Sequence, residues 1–203
     1  MSHDASIDEF LSAVASERVA PSGGASAALA GATAAALAEM ACIHTGDPDG
    51  PTDLAAARED LRARRAELLD LRERDAAVVA ELFEDADKPP TAEDVERATA
   101  VPLATAEATV AVLERTADVV AAGDRNPVVD AAVGVYLAHA ALQGALFVVR
   151  SNLPWIDDHE TVAGLHEQAA DLERAGTAAR DRAIEALQQR FPADAFGNAS
   201  DPP

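Results

Sequence analysis

Cysteine, lysine and aromatic residues are scarce in this sequence of 203 residues. Cys42 is the only cysteine, which excludes an intrachain disulfide and a metal cluster built on several cysteines. Lys88 is the only lysine among the 16 basic residues, and aromatic residues make up 3% of the chain. Because Ala, Val and Leu must then supply the core, the composition predicts elements that pack at short distances.

Positive charge is also in short supply, since 36 acidic residues give a formal net charge of −20. Without a basic stripe to release counterions, nucleic acid and anionic membranes are disfavoured as partners. An acidic, lysine-poor composition is typical of a high-salt cytoplasm, where charge repulsion is screened within about 3 Å at molar salt. We therefore expect a halophilic source, and the acidic surface indicates little about partners.

A long apolar run, residues 23–43, approaches the length of a membrane span. It consists mostly of Ala and Gly and contains Glu39, and a carboxylate inside a membrane is costly. The first ten residues, MSHDASIDEF, lack the basic and apolar regions of a signal peptide. These features predict a cytoplasmic protein that has no membrane partner and whose run is a buried helix.

No strand-like alternation is visible, so the fold class predicted is all-α, a multihelical bundle with a long Ala-rich central helix. We predict one domain over residues 1–192, followed by a disordered tail over 193–203. Capping, proline and periodicity patterns predict six helices. Five of them span residues 6–17, 22–44, 53–85, 126–150 and 162–190, and the fourth in chain order begins at the Thr91 cap and is kinked at Pro102. The helix over 126–150 has Asn126 as its N-cap and Pro127 as its first helical residue.

The Ala-rich helix begins at Pro21-Ser22-Gly23-Gly24, an unusual start for a helix. A glycine pair there leaves free N–H groups and the positive end of the helix dipole for an anion or a polar ligand. The stretch is neither a P-loop nor a dinucleotide fingerprint, because it lacks the Gly-Lys-Ser/Thr sequence and a preceding strand. Close helix packing is the alternative explanation, and the spacing alone favours it.

Four further polar residues each allow two interpretations. Asp130 begins a small-residue face, where it is either a surface residue that stabilises the helix dipole or a buried acid or base. Asp75 lies on a charged helix, which favours a solvated position. Lys88 is either an ordinary loop residue or a retained titratable group. His44 has Cys42 and Asp47 nearby but lacks metal-ligand spacing, so no metal site is predicted.

Several stretches together resemble the cyclodeaminase/cyclohydrolase family, over about residues 7–190. The stretches, in chain order, are FLSAVAS, VAPSGGASAALAGATAAALAEMACIHT, ERDAAVV, VPLATAE and NPVVDAAVGVYLAHAALQGALFVVRSNLPWI. The family includes the C-terminal domain of formiminotransferase-cyclodeaminase and stand-alone methenyltetrahydrofolate cyclohydrolases. The resemblance implies an all-helical homodimer with folate sites in clefts associated with the subunit interface.

The resemblance also implies roles for matched positions. Asp75 and Asp130 would handle protons or stabilise a cation, and Lys88 would be a general acid or contact a folate carboxylate. The substrate-binding residues would be Pro21, Ser22, Gly23, Gly24, Asn126, Arg150 (at the glutamate tail) and Asn152. The sequence departs from the family pattern at Ser22 and Ala25, where P-G-G-G-S is usual, and at Val129, where Ser is usual.

Two reactions on a tetrahydrofolate adduct fit this resemblance, and neither needs a metal or a redox cofactor. Because the sequence contains no formiminotransferase domain, it predicts a cyclohydrolase that opens 5,10-methenyltetrahydrofolate to 10-formyltetrahydrofolate. The alternative is a formiminotetrahydrofolate cyclodeaminase, which releases ammonia. A non-catalytic folate-binding helical dimer and an adaptor without a ligand are the alternatives from other classes.

Overall fold

Helices account for almost all of the residues that the structure, a computed structural model, describes: 6–45, 52–82, 90–124 and 126–192. No strand occurs within these four ranges. The helices are α1 (Ile7–Val14), α2 (Gly23–His44), α3 (Thr52–Leu82), α4 (Ala92–Ala122), α5 (Pro127–Asn152) and α6 (His159–Gln188), with a short 3-10 turn at Leu153–Trp155. The all-α prediction is confirmed, whereas Asp47, Lys88 and the predicted tail lie outside the described residues.

Local capping explains where three of these helices begin. The Ser6 hydroxyl accepts from the Glu9 amide at 3.2 Å and the Glu9 carboxylate accepts from the Ser6 amide at 2.7 Å, which is a capping box. Thr91 caps α4 in the same way, and α4 continues through Pro102. Asp158 accepts from the Thr161 amide at 2.9 Å, so α6 begins earlier than the periodicity predicted.

The prediction that Asn126 is the N-cap residue of α5 is confirmed, although its side chain does not make the cap. Asn126 adopts helical backbone angles (φ −76°, ψ −50°), and its side chain makes no capping hydrogen bond. A cap residue that accepts from the first turn typically has an extended backbone, which Asn126 lacks. Pro127 still occupies the first helical position, as predicted.

The Ala-rich α2 lies at the centre of the bundle and packs against α3, α4 and α5. Small residues permit this packing: a Cβ built on Gly31 would lie 3.1 Å from Thr109 Oγ1. A Cβ on Gly134 of α5 would lie 3.1 Å from the Ala34 carbonyl oxygen. The close-packing explanation for the small residues of α2 therefore holds along the middle of the helix.

Helices α2 and α5 run antiparallel. Gly144 lies beside Ala27 near the start of α2, whereas Gly134 lies beside Ala34 and Leu37 farther along. The C-terminal end of α5 therefore points to the end of the bundle at which α2 begins. The N-terminal end of α5 meets the last turn of α2.

By length and composition alone, Gly23–His44 and Pro127–Trp155 could each cross a membrane. Of the most apolar window of each, 50% and 44% respectively is buried inside the bundle. Buried core helices satisfy the same criterion, so this is weak evidence for a membrane protein.

Large apolar side chains also remain exposed on the outer face of α5. Val129, Val133, Tyr136 and Phe147 are each about half exposed or more, and Phe147 reaches 73%. Their spacing of 4, 3 and 11 residues places them along one side of the helix. We refer to these four residues as the α5 stripe.

Candidate functional site

The carboxylate of Asp75, on α3, lies against the first turn of α2. It accepts hydrogen bonds from the backbone amide of Ala25 and from the Ser22 hydroxyl, the latter at 3.3 Å. Asp75 is 5% exposed, so the prediction of a solvated position is wrong. The charged pattern of α3 predicted solvent because sequence spacing does not reveal a contact that joins residues 53 positions apart.

The glycine pair has two different functions at this site. A Cβ on Gly24 would lie 2.7 Å from Asp75 Cγ and 2.8 Å from Oδ2, so only glycine lets the carboxylate reach the helix. A Cβ on Gly23 would meet nothing within 4 Å, and Gly23 is exposed. The backbone at Gly23 is therefore open beside a buried carboxylate. We refer to Ser22, Gly23, Gly24, Ala25 and Asp75 as the Asp75 site.

An anion does meet the start of α2, but it comes from the chain itself. The Asp75 carboxylate accepts the hydrogen bond of the Ala25 amide, in the first turn where we expected the glycine pair to leave N–H groups free for a ligand. Ser22, the N-cap residue, makes no capping bond to its own helix. Pro21 precedes it, is buried, and follows a cis peptide bond after Ala20.

Burial raises the pKa of the Asp75 carboxyl above its ordinary value, although the hydrogen bonds from Ala25 and Ser22 act in the opposite direction. A raised pKa suits a carboxylate that both accepts and returns a proton near neutral pH. The same geometry also has a purely structural function, because the carboxylate caps α2 from a neighbouring helix.

Asp130 lies at the other end of α2. It lines a cavity of about 300 Å³ together with Met40, Ala41, His44, Asn126 and Pro127, which we refer to as the Asp130 cavity. Asp130 itself is half-buried, and the face that it begins is buried farther along, at Gly134, Ala138, Ala141 and Ala145. The cavity places an imidazole beside the predicted carboxylate and amide.

Sequence reasoning considered His44 only as a metal ligand and missed its place in this cavity. No local sequence pattern indicates this cavity, because it forms only where the antiparallel packing of α2 and α5 brings the last turn of α2 to the first turn of α5. Within the described ranges, no group of three or more His, Cys, Asp or Glu side chains could hold a metal ion.

The two groups of predicted residues are far apart within one chain. From Gly24 to Ala41 the helix rises about 25 Å at 1.5 Å per residue. Asp75 and Asp130 therefore cannot act on the same small group within a single chain. The structure brings Asp75 together with Ser22, Gly23 and Gly24, and separately brings Asp130 together with Asn126.

Arg150 and Asn152 lie at the C-terminal end of α5, toward the end of the bundle that holds the Asp75 site. The Arg150 guanidinium pairs with the Glu173 carboxylate of α6 at 2.6 Å, and both side chains are about one-third exposed. This cation is thus already paired within the chain. Asn152, the last residue of α5, is half-buried.

Comparison with known proteins gives three findings. Residues 6–171 match the family model described as formiminotransferase-cyclodeaminase. The fold is similar to the crystal structure of formiminotetrahydrofolate cyclodeaminase from Thermotoga maritima, with a TM-score of 0.86 and 23% sequence identity over 92% of this chain and 97% of that chain. A search of curated protein sequences found no match.

Proposed function

Because the chain belongs to the formiminotransferase-cyclodeaminase family, we propose that it is a formiminotetrahydrofolate cyclodeaminase that releases ammonia from a tetrahydrofolate adduct. The descriptions of the family and of the similar Thermotoga structure both favour this reaction over the cyclohydrolase that the sequence predicted. The single structural observation that supports it is a buried carboxylate beside the open glycine backbone at the start of α2.

The reaction requires one proton to move between two nitrogen atoms of the substrate. N10 of the protonated formimino compound attacks the formimino carbon, and a tetrahedral centre forms with N5, N10 and an amino group. N10 loses its proton, the amino nitrogen gains one, and the C–N bond to ammonia breaks to leave 5,10-methenyltetrahydrofolate. The net proton count of the substrate skeleton and ammonia is unchanged.

Asp75 is the group in the Asp75 site that suits this transfer. In its ionised form it accepts the N10 proton, and in its protonated form it returns the proton to the leaving amino group. A pKa raised by burial lowers the cost of the protonated intermediate form. The negative form also stabilises the cationic one-carbon unit, and Gly23 leaves room for a flat ring to approach.

The proposal includes a homodimer that pairs the α5 stripes of two copies. Antiparallel packing of two α5 helices about a two-fold axis covers four exposed apolar side chains per protomer. That arrangement sets the Val129 end of one stripe against the Phe147 end of the other. In this arrangement the Asp130 cavity of one protomer lies at the same end of the dimer as the partner's Asp75 site, although the two lie about 25 Å apart within one chain.

The test follows ammonia release and the absorbance of methenyltetrahydrofolate in parallel, with purified protein in molar KCl and formiminotetrahydrofolate as substrate. The proposal predicts equal amounts of ammonia and methenyl product. Consumption of added methenyltetrahydrofolate without ammonia release from the formimino substrate would instead identify the cyclohydrolase. Folate binding without either turnover by a folded protein would identify a non-catalytic binding protein.

A further inference from the structure

At the start of α2, Asp75 accepts the amide hydrogen bond that an N-cap serine such as Ser22 would ordinarily accept. An N-cap serine ordinarily accepts from an amide of its own helix. Here the Ser22 side chain makes no such bond, and its hydroxyl donates to Asp75 Oδ2 at 3.3 Å. The amide of Ala25 is satisfied by Asp75 instead. The hydroxyl is therefore free of capping and is directed to the buried carboxylate.

The two donors to Asp75 differ in mobility. The Ala25 amide is fixed by the helix, whereas the Ser22 hydroxyl rotates about one side-chain bond and belongs to a half-buried residue beside the exposed Gly23. Both bonds favour the ionised carboxylate, against the effect of burial. Of the two, only the hydroxyl can be removed without a change in the backbone.

Among the described residues, no charged side chain is a cause of the shift in the Asp75 pKa, which burial and the two donors determine. Residues 21–25, at the start of α2, carry no ionisable side chain. The ion pairs Glu81–Arg97 and Asp60–Arg115 set the register of α3 against α4 and place Asp75 beside residues 98–106, which also carry none. At the end of α5, Arg150 pairs with Glu173.

On α3 itself, two arginines lie close to Asp75 in sequence. Arg72 pairs with Glu73 at 3.2 Å and lies over the Phe10 ring. Arg74 is exposed. Within the described residues, the causes that act on the Asp75 pKa are burial, the Ala25 amide and the Ser22 hydroxyl.

We propose that Ser22 is a positioning residue for the proton transfer: its hydroxyl orients the ionised Asp75 carboxylate and sets the pH at which Asp75 takes up a proton. This inference rests on the proposed function, in which Asp75 handles the proton. In this role Ser22 acts through Asp75.

The first test is the pH dependence of kcat for Ser22→Ala, Ser22→Thr and a matched control, Ser26→Ala. The Ser26 hydroxyl donates to the Ser22 carbonyl at 3.0 Å, and its bond lies within α2 rather than at Asp75. Loss of the Ser22 hydroxyl moves the acidic limb to higher pH by roughly 0.5 to 1 unit and lowers kcat several-fold near that limb. Ser22→Thr restores the wild-type limb, and Ser26→Ala leaves it unchanged.

A ¹³C NMR titration of the Asp75 carboxyl gives a second measurement that does not need turnover. The inference predicts a higher titration midpoint in Ser22→Ala than in the wild type and Ser26→Ala. Equal midpoints would overturn it, as would a loss of activity in Ser22→Ala that threonine does not restore. If the wild type itself released no ammonia, the proposed function would fail, while the NMR midpoints would still decide whether Ser22 controls Asp75.

Discussion

The carboxylate of Asp75 occupies the space in which a side chain at Gly24 would begin. A Cβ on Gly24 would lie 2.7 Å from Asp75 Cγ, closer than non-bonded carbon atoms approach. The two residues lie on different helices, and each restricts the other. Glycine at position 24 is required by the carboxylate, and the carboxylate satisfies the first turn of α2 through the Ala25 amide.

This relationship predicts that Gly24→Ala displaces Asp75. We expect the free energy of unfolding to fall by about 1–3 kcal/mol, as in other overpacked sites, and ammonia release to fall with it. Gly23→Ala is the matched control for stability, because a Cβ there meets nothing within 4 Å. Urea unfolding of both variants checks the prediction, and equal losses in the two would contradict it.

Asp75 also predicts a pH dependence of stability. Its folded-state pKa is raised, so its contribution is fully present below the unfolded-state pKa, about 3.9, and is lost as pH rises through the folded-state value. Asp75→Asn removes this loss. The stability of Asp75→Asn relative to the wild type should therefore increase as pH rises above about 4. Urea unfolding of both proteins between pH 4 and 7 measures the difference, and a constant difference would contradict the raised pKa.

The α5 stripe predicts the oligomeric state. Phe147→Asp or Tyr136→Asp should give a particle with the chain mass of 21.0 kDa in place of one with twice that mass, because a carboxylate would be buried within the interface. The same variants should lose ammonia release. Ile7→Asp, at an equally exposed apolar residue of α1, is the control. Light scattering in molar KCl measures the mass, and a wild-type monomer that is fully active would contradict the pairing.

The net charge of −20 predicts that salt stabilises the protein. Self-repulsion of the acidic surface is screened within about 3 Å at 1 M salt but extends about 10 Å at 0.1 M. We expect Tm to rise steadily between 0.1 M and 2 M KCl. A Tm that does not change with KCl would contradict the expectation of a halophilic protein.

The sequence predicted those features that depend on neighbouring residues. The capping boxes at Ser6 and Thr91 and the proline at the start of α5 are local patterns, and each marks a helix start in the structure. The resemblance added Asp75 to the predicted site, although its helix pattern favoured a solvent position. Burial of Asp75 depends on how α3 packs against α2, which no local pattern encodes.

Other parts of the site could not be predicted for the same reason. Asn126 is the N-cap residue of α5, as predicted, but the sequence did not show that its backbone is helical and that its side chain makes no capping bond. The Arg150–Glu173 pair and the cavity that contains His44 join residues on different helices. The resemblance gave Asp75 and Asp130 catalytic roles, and it could not show that the length of α2 separates them within one chain.

The most direct test of the account is the rate of ammonia release from formiminotetrahydrofolate by Asp75→Asn relative to the wild type. Asparagine keeps an oxygen that accepts from the Ala25 amide, so the helix start is preserved while the titratable proton is lost. We predict a folded protein whose turnover is lower by roughly 100-fold or more. Turnover close to that of the wild type would show that Asp75 only caps α2 and that the chemistry takes place elsewhere.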